Sequence, residues 1–296
     1  MENAFLANAV SIEGLGADAP VGGFPVLVFS HGSGASKEMY KYLLEFLASH
    51  GYVVVAPDHT GNVGIGQFVP EDMEMTSLRV TDLLWVIDWL GSAVGDEAGV
   101  LHGLADMNRL AVAGHSYGGH VVMALGGAVW DWDHIAEQCS LDDPPDPYVC
   151  SLQNHVDEWL SLLPSAEVKA VISLAHDASE VHFGTNCAGA ADIGVPVMCM
   201  GGTADTIAVF DTNAQLCFDN GSSPACLFRL TDAGHLDFTD ATAEGSMSCD
   251  RSHILVRGMV LAFLEKYLNG DAGADLVLGG DSAAWADTSD FQSSCR

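Results

Sequence analysis

The run Gly114-His115-Ser116-Tyr117-Gly118-Gly119 sets a serine among glycines, between an apolar stretch and a run of small and apolar residues. A serine hydroxyl is a weak nucleophile. On a sharp strand-to-helix turn its oxygen is lifted clear of the sheet, and such a turn has no room for side chains beside it, which is why glycines flank it. The turn also leaves Ser116 at a helix N-terminus, where partial positive charge gathers. The chemistry implied is attack on a carbonyl carbon through a covalent acyl intermediate.

Such a serine needs a base within hydrogen-bond reach and a third group that fixes the base's tautomer. In open parallel sheets with this turn the partners follow in the order serine, acid, histidine. Asp205 closes Gly201-Gly202-Thr203-Ala204-Asp205, directly after the apolar run Val195–Met200. His235 closes Leu230-Thr231-Asp232-Ala233-Gly234-His235, after the next such run. Both would stand at the carboxyl ends of strands, where ligands bind in such sheets. His253 also lies after Asp205 but inside a helical pattern. Asp177, in Leu174-Ala175-His176-Asp177, is the rival for the acid, and Asp237 reads as a solvated or capping carboxylate. The tetrahedral intermediate calls for preorganised N–H donors. The amide of Tyr117 supplies one, and Ser33, in the loop Ser30-His31-Gly32-Ser33-Gly34, is the expected second. His115 and His176 are candidates to line the substrate cleft.

The elements that must carry these residues alternate between strand and helix. Pro25–Ser30, Tyr52–Ala56, Arg109–Gly114, Val168–Leu174, Val195–Met200 and Cys226–Leu230 are continuous apolar runs, as expected of strands buried on both faces. Helical spacing marks about 37–49, about 75–90, 117–125 and 252–268. This period argues for a mainly parallel, doubly wound sheet with helices on both faces, in one domain spanning 1–296. From about 129 to 165 the chain turns polar and Pro-interrupted, which reads as a short lid-like insertion over the sheet edge. The aromatics around Trp130–Trp159 either line a substrate pocket or pack. The tail, 270–296, is rich in Gly, Asp and Ser and reads as loop.

Forty acidic residues against ten Lys and Arg give a formal charge of −30. That field repels phosphate backbones and anionic lipid, which excludes nucleic acid as a partner and stable membrane association. The acidity reads as a solvated surface suited to salty water rather than as calcium sites, since no segment has the spaced carboxylates of a calcium loop. No stretch is long and apolar enough to span a bilayer. Ala4–Val10 is apolar but lacks a basic leader, and Met1-Glu2 reads as the start of a fragment. Eight cysteines, at 139, 150, 187, 199, 217, 226, 249 and 295, show no CxxC or zinc-like spacing, so no metal site is expected. Their even number and wide spread point to disulfides and to a secreted or periplasmic protein. Cys139–Cys150 and Cys217–Cys226 would close short loops, Cys199 reads as a buried thiol, and Cys249 is left with Cys295 or Cys187.

Together the His-Gly loop, Leu47-Ala48-Ser49-His50-Gly51-Tyr52-Val53-Val54, Pro57-Asp58-His59, the glycine-flanked Ser116 and the segments ending at Asp205 and His235 resemble the dienelactone-hydrolase-like branch of the α/β-hydrolase superfamily. Relatives of platelet-activating-factor acetylhydrolase belong to that branch, with bacterial cutinases and polyester hydrolases more distant. The likeness runs from about Phe24 to Leu268. It implies the α/β-hydrolase fold, carboxylic-ester hydrolysis without a cofactor, a triad of Ser116, Asp205 and His235, and oxyanion donors at Ser33 and Tyr117. The chain has serine where dienelactone hydrolases proper have cysteine, and its strands before the His-Gly strand are shortened. Polyester hydrolases carry an aromatic at Ser33 and a Trp near Ala175-His176. Polyesters, aromatic diesters, short-acyl phospholipids and peptides stay open as substrates, as does a non-catalytic binding role.

Overall fold

In the computed structural model the described residues are 19–64, 75–142, 149–150, 153, 156–163, 165, 167–222, 224–241, 247–281, 285 and 289–296. They form a seven-stranded sheet in the order β2-β1-β3-β4-β5-β6-β7. The strands are β1 (Phe24–Ser30), β2 (Val53–Val55), β3 (Ala105–His115), β4 (Val168–Leu174), β5 (Val197–Gly202), β6 (Ala225–Leu230) and β7 (Phe291–Cys295). All pair in parallel except β7, which runs antiparallel along β6. The fold is that of the α/β hydrolases.

Successive side chains of a strand face opposite ways, and here both faces are covered. Val26, Val28, Leu110, Val112, Val171 and Leu227 pack into one layer, under α2 (Met75–Gly95), α3 (Tyr117–Leu125) and α7 (Ala214–Asn220). Leu27, Phe29, Ala111, Ala113, Ile172 and Phe228 pack into the other, under α1 (Lys41–Ser49), α8 (Cys249–Leu268) and α9 (Ala274–Leu278). This is why the strands read as unbroken apolar runs. In α2 the buried positions Val80, Leu83, Ile87 and Leu90 recur at three- and four-residue spacing, while Trp85 and Trp89 stack on the outer face.

Three expectations change. The segment about 129–165 holds α4 (Trp132–Cys139) and α5 (Val156–Leu162), and its Trp130 and Trp159 are buried in the core beside α3 rather than poised as a lid. The tail is not loop alone, since it carries α9 and the edge strand β7. The disulfides join Cys139–Cys150, Cys187–Cys217 and Cys226–Cys295. The first agrees with the sequence reading. Cys217 takes Cys187 instead of Cys226, and Cys295 takes Cys226 instead of Cys249, because Cys226 and Cys295 stand opposite each other on β6 and β7. That register could not be seen before β7 was known to be a strand. Cys199 is a buried free thiol on β5, its pKa pushed up to about 12 by burial. The remaining helix, α6 (Ser179–Phe183), follows β4.

The Cys226–Cys295 bridge ties the only antiparallel strand of this sheet to its neighbour across 69 residues of sequence. Replacing Cys295 by Ser is expected to cost about 2–4 kcal/mol of unfolding free energy. Urea titration of both proteins checks this, and an unchanged midpoint would count against the bridge.

Candidate active site

Because β1, β3, β5 and β6 are mutually parallel, the loops that follow them emerge at one rim of the sheet. Ser116 lies between β3 and α3 with φ 54° and ψ −123°, a conformation that costs a non-glycine residue about 1–3 kcal/mol. The chain is too close on both sides for side chains. A Cβ on Gly114 would fall 2.2 Å from the carbonyl oxygen of Gly118, and one on Gly118 would fall 2.2 Å from that of Ser30. The amide of Ser116 is anchored on Leu174 O at 2.9 Å, so β4 holds the strained turn.

Asp205, in the loop after β5, is buried. Its Oδ1 accepts from the amides of Ile207 and Ala208, each at 2.8 Å, and its Oδ2 lies 2.8 Å from Nδ1 of His235 in the loop after β6. This pairing fixes the ring's orientation and leaves Nε2 of His235 on the side away from Asp205. Among the described residues no hydrogen bond yet joins Ser116 Oγ to His235. Asp177 lies elsewhere, its Oδ1 3.4 Å from Nδ1 of His120. Burial alone would raise its pKa, but the contact with His120 and the nearby His182 and His235 together outweigh this and lower it. Asp237 accepts the Gly234 amide at 2.7 Å and so caps the His235 turn. His253 bonds Thr239 O at 2.8 Å and stacks on Tyr42.

His115 and His176 do not line a cleft, since both are buried. His176 Nδ1 sits 2.8 Å from Ser173 Oγ under α3. His115 joins three loops. Gly32 N–H donates to Tyr40 Oη at 2.9 Å, the Tyr40 hydroxyl donates to His115 Nδ1 at 2.9 Å, and His115 Nε2–H donates to the carbonyl of His235 at 3.1 Å. The path requires a neutral imidazole, and burial together with the neighbouring His235 lowers the pKa of His115 well below 6.5.

The loop carrying Ser33 lies against the serine, for a Cβ on Gly32 would come within 3.3 Å of Ser116 Cβ. Ser33 is exposed, and Tyr117 is buried at the start of α3. Behind this loop is a polar cluster that the sequence reading missed. His31 Nδ1 donates to Gly32 O at 2.7 Å and its Nε2 accepts the His59 amide at 3.0 Å. His59 in turn lies between Ser30 Oγ at 2.9 Å and Asp82 Oδ2 at 2.8 Å. Ser30, His59 and Asp82 thus form a hydrogen-bonded serine–histidine–aspartate chain, but Ser30 and His59 are wholly buried, so it braces the loop from within. Arg79 of α2, also fully buried, completes the cluster. Its signal was a basic residue on the apolar face of a helix, in a chain with ten Lys and Arg in all. Among the described residues no group of His, Cys, Asp and Glu has the arrangement to hold a metal ion.

A parallel sheet that brings a strained serine and a carboxylate-held histidine to one rim is the arrangement of the α/β hydrolases, and the chain is one of them. Comparison with known proteins narrows the class to carboxylic-ester hydrolases. Residues 15–134 match the chlorophyllase family model, which takes in the His-Gly loop and the Ser116 turn but stops short of Asp205 and His235. Over 273 residues the chain is 26% identical to chlorophyllase-1, chloroplastic, of Citrus unshiu, covering 86% of this chain and 71% of that protein. It is 24% identical over 279 residues to chlorophyllase-2 of Arabidopsis thaliana, covering 84% and 75%. A probable 1-alkyl-2-acetylglycerophosphocholine esterase of Arthroderma benhamiae is 28% identical over 109 residues, 34% of this chain and 27% of that one. The superfamily is the one the motifs resembled, and the phospholipid-esterase relative falls in the branch they indicated.

Burial leaves four imidazoles neutral in the fold. His31 and His176 are lowered to about 3, and His59 and His115 are lowered as well. In the unfolded chain each takes its proton near 6.5. Below that value the unfolded state binds more protons, so stability is full above about pH 6.5 and is lost as pH falls toward about 3. In about 1 M salt, which silences surface repulsion, the melting temperature is expected to drop from about pH 7 to about pH 5. A melting temperature that holds or rises over that interval would contradict the buried, neutral assignment.

Proposed function

We propose that the chain hydrolyses carboxylic esters in two steps through an acyl-enzyme. Ser116 Oγ attacks the ester carbonyl while His235 Nε2 takes the hydroxyl proton, and Asp205 stabilises the imidazolium. The amides of Tyr117 and Ser33 receive the oxyanion. His235 then passes its proton to the leaving alcohol, and by the reverse sequence a water releases the acid. The observation that carries this reading is the 2.8 Å contact of His235 Nδ1 with buried Asp205, in loops that share a rim with the Ser116 turn. In sites without substrate the bond between nucleophile and base is commonly long and tightens on binding.

For the substrate, similarity to chlorophyllases over most of the chain favours an ester with a bulky apolar group. Polyesters are less favoured, because Ser33 and His176 stand where an aromatic clamp would be needed and His176 is buried. The −30 charge disfavours anionic surfaces. Three disulfides support an oxidising compartment outside the cytosol, and the acidic surface suits a saline one.

The test is a panel of p-nitrophenyl esters of rising acyl length, with chlorophyll a, a short-acyl phosphatidylcholine, an aromatic diester and a matched anilide. Ser116→Ala is expected to lose at least about 10⁴-fold in kcat and Asp205→Asn about 10⁴-fold, whereas Asp177→Asn keeps the parental rate. Equal turnover by the parent and Ser116→Ala would remove the nucleophile. Failure of the parent on every ester would favour a binding role, and cleavage of the anilide at the ester rate would make it an amidase.

A further inference from the structure

Arg79 is the one fully buried Lys or Arg side chain among the described residues, and none of their carboxylates forms an ion pair with it. Burying a cation without a counter-charge is costly unless its donors are used. Here both Nη groups are used, on the β1 loop and on Asn62 beside it, while Nε has no hydrogen-bond partner among the described residues. Nη1 donates to the carbonyl of His31 and reaches Ser30 Oγ at 3.4 Å, and Nη2 donates to Gly32 O at 3.2 Å and to Asn62 Oδ1. Asn62 grips the same loop from beside it, accepting the Gly34 amide and donating to Ser33 Oγ, each at 3.4 Å. The guanidinium also lies 4.9 Å from the ring centroid of Tyr117. One side chain therefore touches both residues whose amides the proposed mechanism uses, or the peptide that carries them.

The Gly32 carbonyl and the Ser33 amide belong to one peptide unit. In a planar trans peptide they point in opposite directions. With Gly32 O held inward on Arg79 and on His31 Nδ1, the Ser33 N–H is turned away from the buried cluster, and the loop lies against Ser116. A cation bonded to the carbonyl end also polarises the peptide and makes its N–H a stronger donor. The effect grows as negative charge develops beyond the amide, and low local dielectric enhances it.

We propose that Arg79 is a positioning residue for oxyanion stabilisation, acting through the Gly32–Ser33 peptide and against Tyr117 rather than by touching substrate. Burial lowers its pKa to about 10, so it stays charged at neutral pH. The inference rests on the acyl-enzyme reading above, in which the Ser33 and Tyr117 amides hold the oxyanion.

The test compares Arg79→Lys and Arg79→Met with the parent on the best ester of the panel. Two inhibitors of equal chain length accompany it. An alkyl trifluoromethyl ketone forms an adduct with Ser116 that carries the oxyanion, and the corresponding methyl ketone binds unreacted. Arg79→Met is expected to lose about 10–100-fold in kcat with KM within about twofold, since a weakened donor costs less than a deleted one. Its affinity for the trifluoromethyl ketone falls by the same factor, while the methyl ketone binds as before. Arg79→Lys falls between. A folded variant with parental kcat and parental trifluoromethyl ketone affinity would overturn the proposal, as would a loss confined to KM or shared by both ketones. A purely structural arginine would give one of those results. In the unaltered protein, which needs no variant to fold, the ¹⁵N resonances of the Arg79 guanidinium are expected to shift with the trifluoromethyl ketone and not with the methyl ketone. Absence of that difference would overturn the proposal by itself. Persistent turnover by Ser116→Ala would instead sink the acyl-enzyme reading, whereas a dead Ser116→Ala beside fully active Arg79 variants would sink this inference alone.

Discussion

Much of the site's geometry depends on a neutral imidazole at residue 115. From one ring nitrogen His115 holds the loop after β6 through the carbonyl of His235, and from the other it accepts Tyr40, which holds the loop after β1 through the amide of Gly32. The residue itself ends β3 and leads into Ser116. Loops that follow three different strands are thus bound to one ring. Protonation would remove the acceptor that Tyr40 needs, and burial opposes it. The ring packs against that of His235, centroids 4.7 Å apart and planes inclined by 44°, so packing adds to the hydrogen bonds in setting where the second imidazole stands.

The two apolar layers make such buried polar contacts possible. A sheet covered on both faces excludes water from the strand interiors, and polar groups at the strand ends must satisfy one another. The cluster behind the β1 loop does so with Ser30, His31, His59, Asn62 and Arg79, each bonded to another member or to backbone. Unpaired polar groups in that setting would be costly, so the loop has few alternative conformations.

Several of the ten Lys and Arg side chains have a traceable structural task. Arg109 joins Asp106, the carbonyl of Gly23 and Asn269, three segments far apart in sequence. Arg251 holds Asp290 just before β7 with two hydrogen bonds, and Arg296 donates to the carbonyls of Phe218 and Gly221 at the C-terminal end of α7. Lys37 pairs with Asp58 across the mouth of the β1 loop. Surface ion pairs are individually weak. Here they fasten peripheral segments to the sheet while the surplus carboxylates remain in solvent.

What the sequence by itself determined was local. Apolar runs marked six of the seven strands, because a strand buried on both faces has few polar positions, and glycines marked the Ser116 turn, because backbone there crowds out any side chain. Chain order put Asp205 and His235 in loops at one rim. Only the tertiary structure decided matters that join distant segments: that β7 pairs antiparallel with β6, that Cys226 meets Cys295, that Asp205 and not Asp177 lies against His235, and that Arg79 reaches the Gly32 carbonyl. The reason is physical. Periodicity and steric crowding act over a few residues and leave their mark on the letters, whereas partners across the sheet are chosen by strand register and helix docking, which no single segment encodes.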